Sequence, residues 1–143
     1  MSIDYQNILN ENMLNVFKDI LNNIKNKGLS DGNQLYVTFK TNDKDVKIPT
    51  WLYKKYPEEM TIIIQYEYYN INISKHFFEI TLSFNNIKTD LKIGFDAIIS
   101  FADPSANFGL RLKKSKKEKK LTIKKKNKIK SDNFIEFSNF KKN

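Results

Sequence analysis

The sequence predicts an α+β domain, mainly β, followed by a charged tail. Three observations carry this. One apolar stripe at helical spacing runs through residues 5–27. Beyond it, runs of β-formers alternate with turn signals as far as residue 112. Composition then changes abruptly: residues 111–130 hold twelve Lys/Arg and one acid, a local charge of +11. The 143-residue chain totals +9, so residues 1–110, with eleven Lys against thirteen Asp/Glu, stand at −2. The basic character therefore belongs to a tether and not to the folded part. Residues 131–143 are near neutral and carry Phe134, Ile135, Phe137 and Phe140. A folded body, a solvated tether and an apolar terminal peptide suggest a docking or delivery protein rather than an enzyme.

The helix follows from Ile8, Leu9, Met13, Val16, Phe17, Ile20, Leu21 and Ile24, which form one wide stripe. Asp4 suits the N-cap, and Gly28 stands where a left-handed residue ends a helix. A stripe this wide can cover the chain's own sheet, or also meet a partner helix in a dimer.

The strands come next. LYVTFKT at 35–41 alternates and is rich in β-formers. Residues 42–47 are a polar loop, and Pro49 opens an irregular stretch to Pro57. MTIIIQY at 60–66 is a second strand and FFEITLSF at 77–84 a third. Asn85-Asn86 tolerates positive φ and predicts a tight hairpin into 87–93. Residues 95–101 read as a short helix or turn, Asp103-Pro104-Ser105 as a break, and 107–112 as a last strand. The expectation is one helix and about five mostly antiparallel strands.

The lysine run cannot bury enough apolar surface to order itself, and its charges repel, so a disordered linker is expected at 113–133. Flexible-chain scaling gives a span of roughly 25 Å for about 20 residues. Three roles suit it: a solubilising spacer, nonspecific attraction to RNA or DNA phosphates, or a tether for a docking peptide. No aromatics interleave the lysines to stack bases, which argues against specific nucleic-acid recognition.

Catalytic chemistry is thin. The chain has no cysteine and one histidine, His76, so ordinary zinc sites and thiolate chemistry are excluded. No serine sits in a nucleophile elbow, and four scattered glycines make no phosphate loop. The pairs Asp43/Asp45 and Glu58/Glu59 lie in polar loops beside lysines and read as solvated charge. No cofactor is expected. With no secretory signal, no span of about 18 apolar residues and no cysteine, a cytoplasmic location off the membrane is expected. Tyr66, Tyr68 and Tyr69 fit either rim packing or the wall of a peptide groove.

Several blocks resemble the stringent starvation protein B (SspB) family in its alphaproteobacterial form. They are 35–41 (LYVTFKT), 55–62 (KYPEEMTI) with Gln65 and Tyr68, then Phe77-Phe78 with Thr81, Leu82 and Phe84, and finally Phe101, Asp103-Pro104-Ser105 and Phe108. Near the chain end, Ile135, Phe140, Lys141 and Lys142 resemble the family's docking peptide for the ClpX unfoldase. Two departures stand out. Ala102 occupies a position where the family usually has an aromatic, and the linker is short and basic where the family's is longer and acidic.

The resemblance implies a homodimeric, Sm-like antiparallel β domain at 1–112 that binds ssrA degradation tags and hands tagged polypeptides to the ClpXP protease. It implies a docking peptide at 134–143, with Ile135, Phe137 and Phe140 as apolar anchors and Lys141 and Lys142 as charge contacts. It draws the helical stripe towards a dimer interface through Met13, Val16, Phe17, Ile20 and Ile24. Strand alternation then places the tag groove at Thr38, Phe39, Lys40, Ile64, Gln65, Tyr66, Thr81 and Phe84, floored by Phe101 and Phe108. Lys40 is positioned to pair with an acid of the tag. The competing reading is a small basic Sm-like RNA-binding protein whose lysine tail supplies affinity.

Overall fold

A computed structural model describes residues 2–30 and 32–113. Of the linker expected at 113–133 only Lys113 is described, and the docking peptide at 134–143 lies outside the described residues.

Helix α1 (Tyr5–Lys27) leads, followed by β1 (Leu35–Lys40), a short α2 (Thr50–Lys55), β2 (Glu59–Ile64), β3 (Tyr68–Ile73), β4 (Phe77–Phe84), β5 (Ile87–Gly94), β6 (Ile98–Asp103) and β7 (Phe108–Arg111). Single 3-10 turns at Phe95–Ala97 and Pro104–Ala106 precede the last two strands. The strands form two antiparallel sheets, one ordered β2-β1-β6-β7 and the other β3-β4-β5.

Helix α1 begins and ends as its sequence dictates. The Asp4 carboxylate accepts from the Asn7 amide at 3.1 Å. At the other end Gly28, at φ 76°, turns the chain and donates to the Ile24 carbonyl. Met13, Leu14, Phe17, Leu21 and Ile24 face the core, while Ile8, Leu9 and Val16 of the same wide stripe remain exposed. The stripe is thus divided between two surfaces.

Phe17 is 0% exposed and joins the two sheets. Its ring centroid lies 5.4 Å from Phe78 of β4 and 5.0 Å from Phe101 of β6, with Phe95 at 6.2 Å. Inward residues of one sheet (Val37, Phe39, Ile62, Ile64, Phe101) and of the other (Phe78, Ile80, Leu82, Leu91, Ile93) share that core.

The hairpin at Asn85-Asn86 forms as expected, with both residues at positive φ and Phe84 paired to Ile87. Three elements differ from expectation. Residues 50–55 form α2, started by Pro49, whose fixed φ suits a helix entrance. β3 exists, but its register shifts between Tyr69 and Asn72, and Asn70 adopts φ 54°. β6 follows its 3-10 turn and pairs with β1 through another register shift at Thr38/Phe39. Each irregularity hides the period of two that marks a strand.

The loop after β1 is pinned to β5. Lys47 and Lys92 exchange backbone bonds of 2.8 and 3.0 Å, and Gly94 donates to the Asp45 carbonyl. A Cβ on Gly94 would stand 2.7 Å from the Asp45 Cβ, so only glycine permits this approach.

Candidate functional site

Alternation along β1 sends Leu35, Val37 and Phe39 into the core and turns Tyr36, Thr38 and Lys40 outward. Register extends the outward set across the four-stranded sheet. Ile63, Tyr36, Ala102 and Gly109 form one row, and Thr61, Thr38, Ser100 and Arg111 the next. Glu59 and Lys40 make a third row at one end.

This outward face has a floor of small residues. Thr38 and Ala102 are buried although they point away from the core, and Thr61, Ser100 and Gly109 are half-buried. Tyr36, Ile63 and Arg111 are the larger residues on these rows. Thr38 and Thr61 share a hydroxyl–hydroxyl hydrogen bond of 2.7 Å across the β1–β2 pair. Above them Gln34 donates to Gln65 at 2.8 Å and accepts from the Tyr36 hydroxyl at 3.2 Å. The face therefore presents hydroxyls and amides in fixed positions beside exposed apolar groups.

Asp103 braces the same sheet. One carboxylate oxygen accepts from the Ser105 backbone amide and hydroxyl, at 3.1 and 2.6 Å, and the other accepts from Asn33 at 2.8 Å. The Asp-Pro-Ser block thus ties the β6–β7 corner to the segment that enters β1.

β2 is an edge of this sheet. The Glu58 carbonyl is bonded to the Thr41 amide, which points its side of the backbone towards β1. By the antiparallel pattern, the backbone groups of Glu59, Thr61 and Ile63 face away from β1. An open edge beside a face of hydrogen-bonding side chains is the arrangement by which sheets take up extended peptides.

The protein-family model for stringent starvation protein B matches residues 7–140. The chain belongs to the SspB family. That family consists of adaptors in protein degradation and is not an enzyme family. A comparison with curated proteins returned no match.

Against this SspB-family frame, the residues singled out in the sequence fall in several places. Thr38, Lys40 and Gln65 share the outward face, and Tyr66 stands at its end in the β2–β3 turn. Phe39, Ile64 and Phe101 are buried in the core, because on a strand their neighbours' outward direction forces them inward. Thr81 lies on the outward face of the other sheet, where it donates to Asp90 at 2.6 Å and is not brought together with Thr38. Phe84 packs edge-to-face with Trp51 of α2, and Phe108 lies 6.2 Å from Phe101 with its ring partly exposed. Of the expected interface residues, Met13, Phe17 and Ile24 are committed to the chain's own core. Ile20 is half-buried, and Val16 is exposed. Ile135, Phe137, Phe140, Lys141 and Lys142 lie outside the described residues.

Sequence reasoning missed Gln34, Tyr36, Thr61, Ile63 and Ser100. Tyr36 shares Thr38's parity on β1, so strict alternation from Thr38 would have found it. Ser100 was hidden with β6.

A concavity of about 380 Å³ lies elsewhere, lined by Thr41, Asn42, Asp43, Val46, Lys47, Ile48, Thr50 and Tyr53. None of the sequence-predicted site residues lines it. His76 is exposed. Among the described residues, no group of three or more His, Cys, Asp or Glu side chains is placed to hold a metal ion, and no helix is long and apolar enough to cross a membrane.

Proposed function

We propose that this SspB-family chain is a cytoplasmic adaptor that captures ssrA-type degradation tags and tethers the tagged polypeptides to ClpXP. The observation that carries the proposal is the extent of the family match. It runs to residue 140, past the described residues and into the terminal segment that holds Ile135, Phe137 and Phe140. Body, tether and terminal peptide are then one functional unit, with domains at 1–112, 113–133 and 134–143.

In this reading an extended tag lies against the outward face of the four-stranded sheet. Thr38, Thr61, Ser100 and the Gln34/Gln65 pair offer it hydrogen-bonding partners, and Lys40 attracts an acidic side chain. Ile135, Phe137 and Phe140 anchor the terminal peptide on ClpX, and Lys141 and Lys142 add charge contacts. The adaptor performs no chemistry. It converts substrate capture into an intramolecular event, with effective concentrations on the order of mM for a short flexible linker. A homodimer formed through the exposed part of the α1 stripe, Ile8, Leu9 and Val16, adds a second tail and avidity.

The test is a fluorescence titration of the full chain with an ssrA-type peptide. Saturable binding at micromolar concentration that survives moderate salt supports the reading. Absence of peptide binding, together with RNA affinity that falls along a steep log–log salt slope, would instead identify a phosphate-binding protein.

A further inference from the structure

Among the described residues, five other than glycine have positive φ: Tyr66, Asn70, Asn85, Asn86 and Asn107. Four are asparagine, the residue whose short polar side chain tolerates this conformation best after glycine. Tyr66, at φ 53°, is the exception. A Cβ-bearing ring in the left-handed region carries backbone strain that asparagine largely avoids.

Packing does not explain the choice, because Tyr66 is 75% exposed. Nor is the turn loosely held. The Glu67 amide donates to the Gln65 carbonyl at 2.6 Å, closing a tight turn around Tyr66. The Gln65 side chain is itself fixed by Gln34 at 2.8 Å. The strained residue therefore stands on a rigid mount at the end of the outward face, three positions after the exposed Ile63.

We propose that Tyr66 is a specificity-determining residue whose ring, held out in a strained turn, closes over an apolar side chain of the bound peptide. The inference rests on the peptide-capture reading above and adds what part of the peptide is read. The backbone beneath the ring is already fixed and a tyrosine side chain has only two torsions to order, so the contact area it covers contributes to affinity with a small ordering cost. The strain remains in the free protein because the surrounding hydrogen bonds over-determine the turn.

Opposite effects on stability and binding test this. Tyr66→Asn and Tyr66→Phe are made in the full chain. Each is melted and then titrated against a fluorescein-labelled ssrA-type peptide by anisotropy. Tyr66→Asn is expected to melt higher than wild type and to bind about tenfold more weakly, the loss of one buried aromatic contact. Tyr66→Phe, which keeps the ring, is expected to bind within about twofold of wild type. A Tyr66→Asn chain that binds as tightly as wild type, or that melts lower, overturns the inference while peptide capture stands. A wild-type chain that does not bind the peptide overturns peptide capture and this inference with it.

Discussion

Asn10 and Lys113, 103 positions apart, are joined by a hydrogen bond of 2.6 Å from the Asn10 Nδ2 to the Lys113 carbonyl. Gln6 donates to the Asn10 Oδ1 at 3.0 Å and so orients the amide. One residue earlier, the Leu112 amide donates to the Ile99 carbonyl at 2.8 Å. The lysine run therefore sets out beside the first half of α1, from the side on which Met13, Leu14 and Phe17 follow Asn10 at three, four and seven positions.

Asn10→Ala removes this anchor. Because the bond is exposed, the stability loss is expected to be small, about 0.5 kcal/mol. Hydrogen exchange reads the effect directly: the Leu112 amide should exchange faster, while amides of β1 and β4 stay as protected as in wild type. Unchanged Leu112 exchange would show that Asn10 does not hold the tail's origin.

Phe17 and Val16 are neighbours with opposite duties. Phe17→Ala opens a cavity between helix and both sheets and is expected to destabilise by about 3–5 kcal/mol, measured by urea unfolding. Val16→Ala, on the exposed side, is expected to cost under about 0.5 kcal/mol.

The exposed half of the stripe is expected to carry the dimer. An Ile8→Asp/Leu9→Asp double substitution should halve the mass seen by sedimentation and leave the circular dichroism unchanged. A mass identical to wild type would place any self-association elsewhere on the surface.

The two outward faces give contrasting predictions for peptide capture. Ser100→Tyr adds bulk to the floor of the four-stranded face at a half-buried strand position, and should weaken tag-peptide binding at least tenfold, about 1.4 kcal/mol. Glu79→Tyr adds the same ring to the exposed face of the other sheet and should leave binding within about twofold of wild type. The reverse result would move the groove to the face that carries Thr81, Asp90 and the Lys92–Phe77 contact.

Much of this fold was legible because its strongest signals are local. The cap at Asp4, the stop at Gly28 and the Asn85-Asn86 hairpin each follow from one or two residues. What was hidden depended on distant pairing. β6 needs a register shift against β1 at Thr38/Phe39, and β3 needs a left-handed Asn70, so neither keeps a clean period of two. The site was only partly legible for a related reason. Phe39, Ile64 and Phe101 share strands with outward residues, and only the pairing shows which parity meets the core. The α1 stripe likewise looked like one surface until Leu14, absent from the expected stripe, was found buried and Leu9 exposed.

The most direct test of the account is the rate at which ClpXP degrades a dilute ssrA-tagged protein, with the full chain or with a chain lacking residues 134–143. The full chain is expected to accelerate degradation, whereas the shortened chain still binds the tag and gives no acceleration. Equal acceleration by both chains would contradict it.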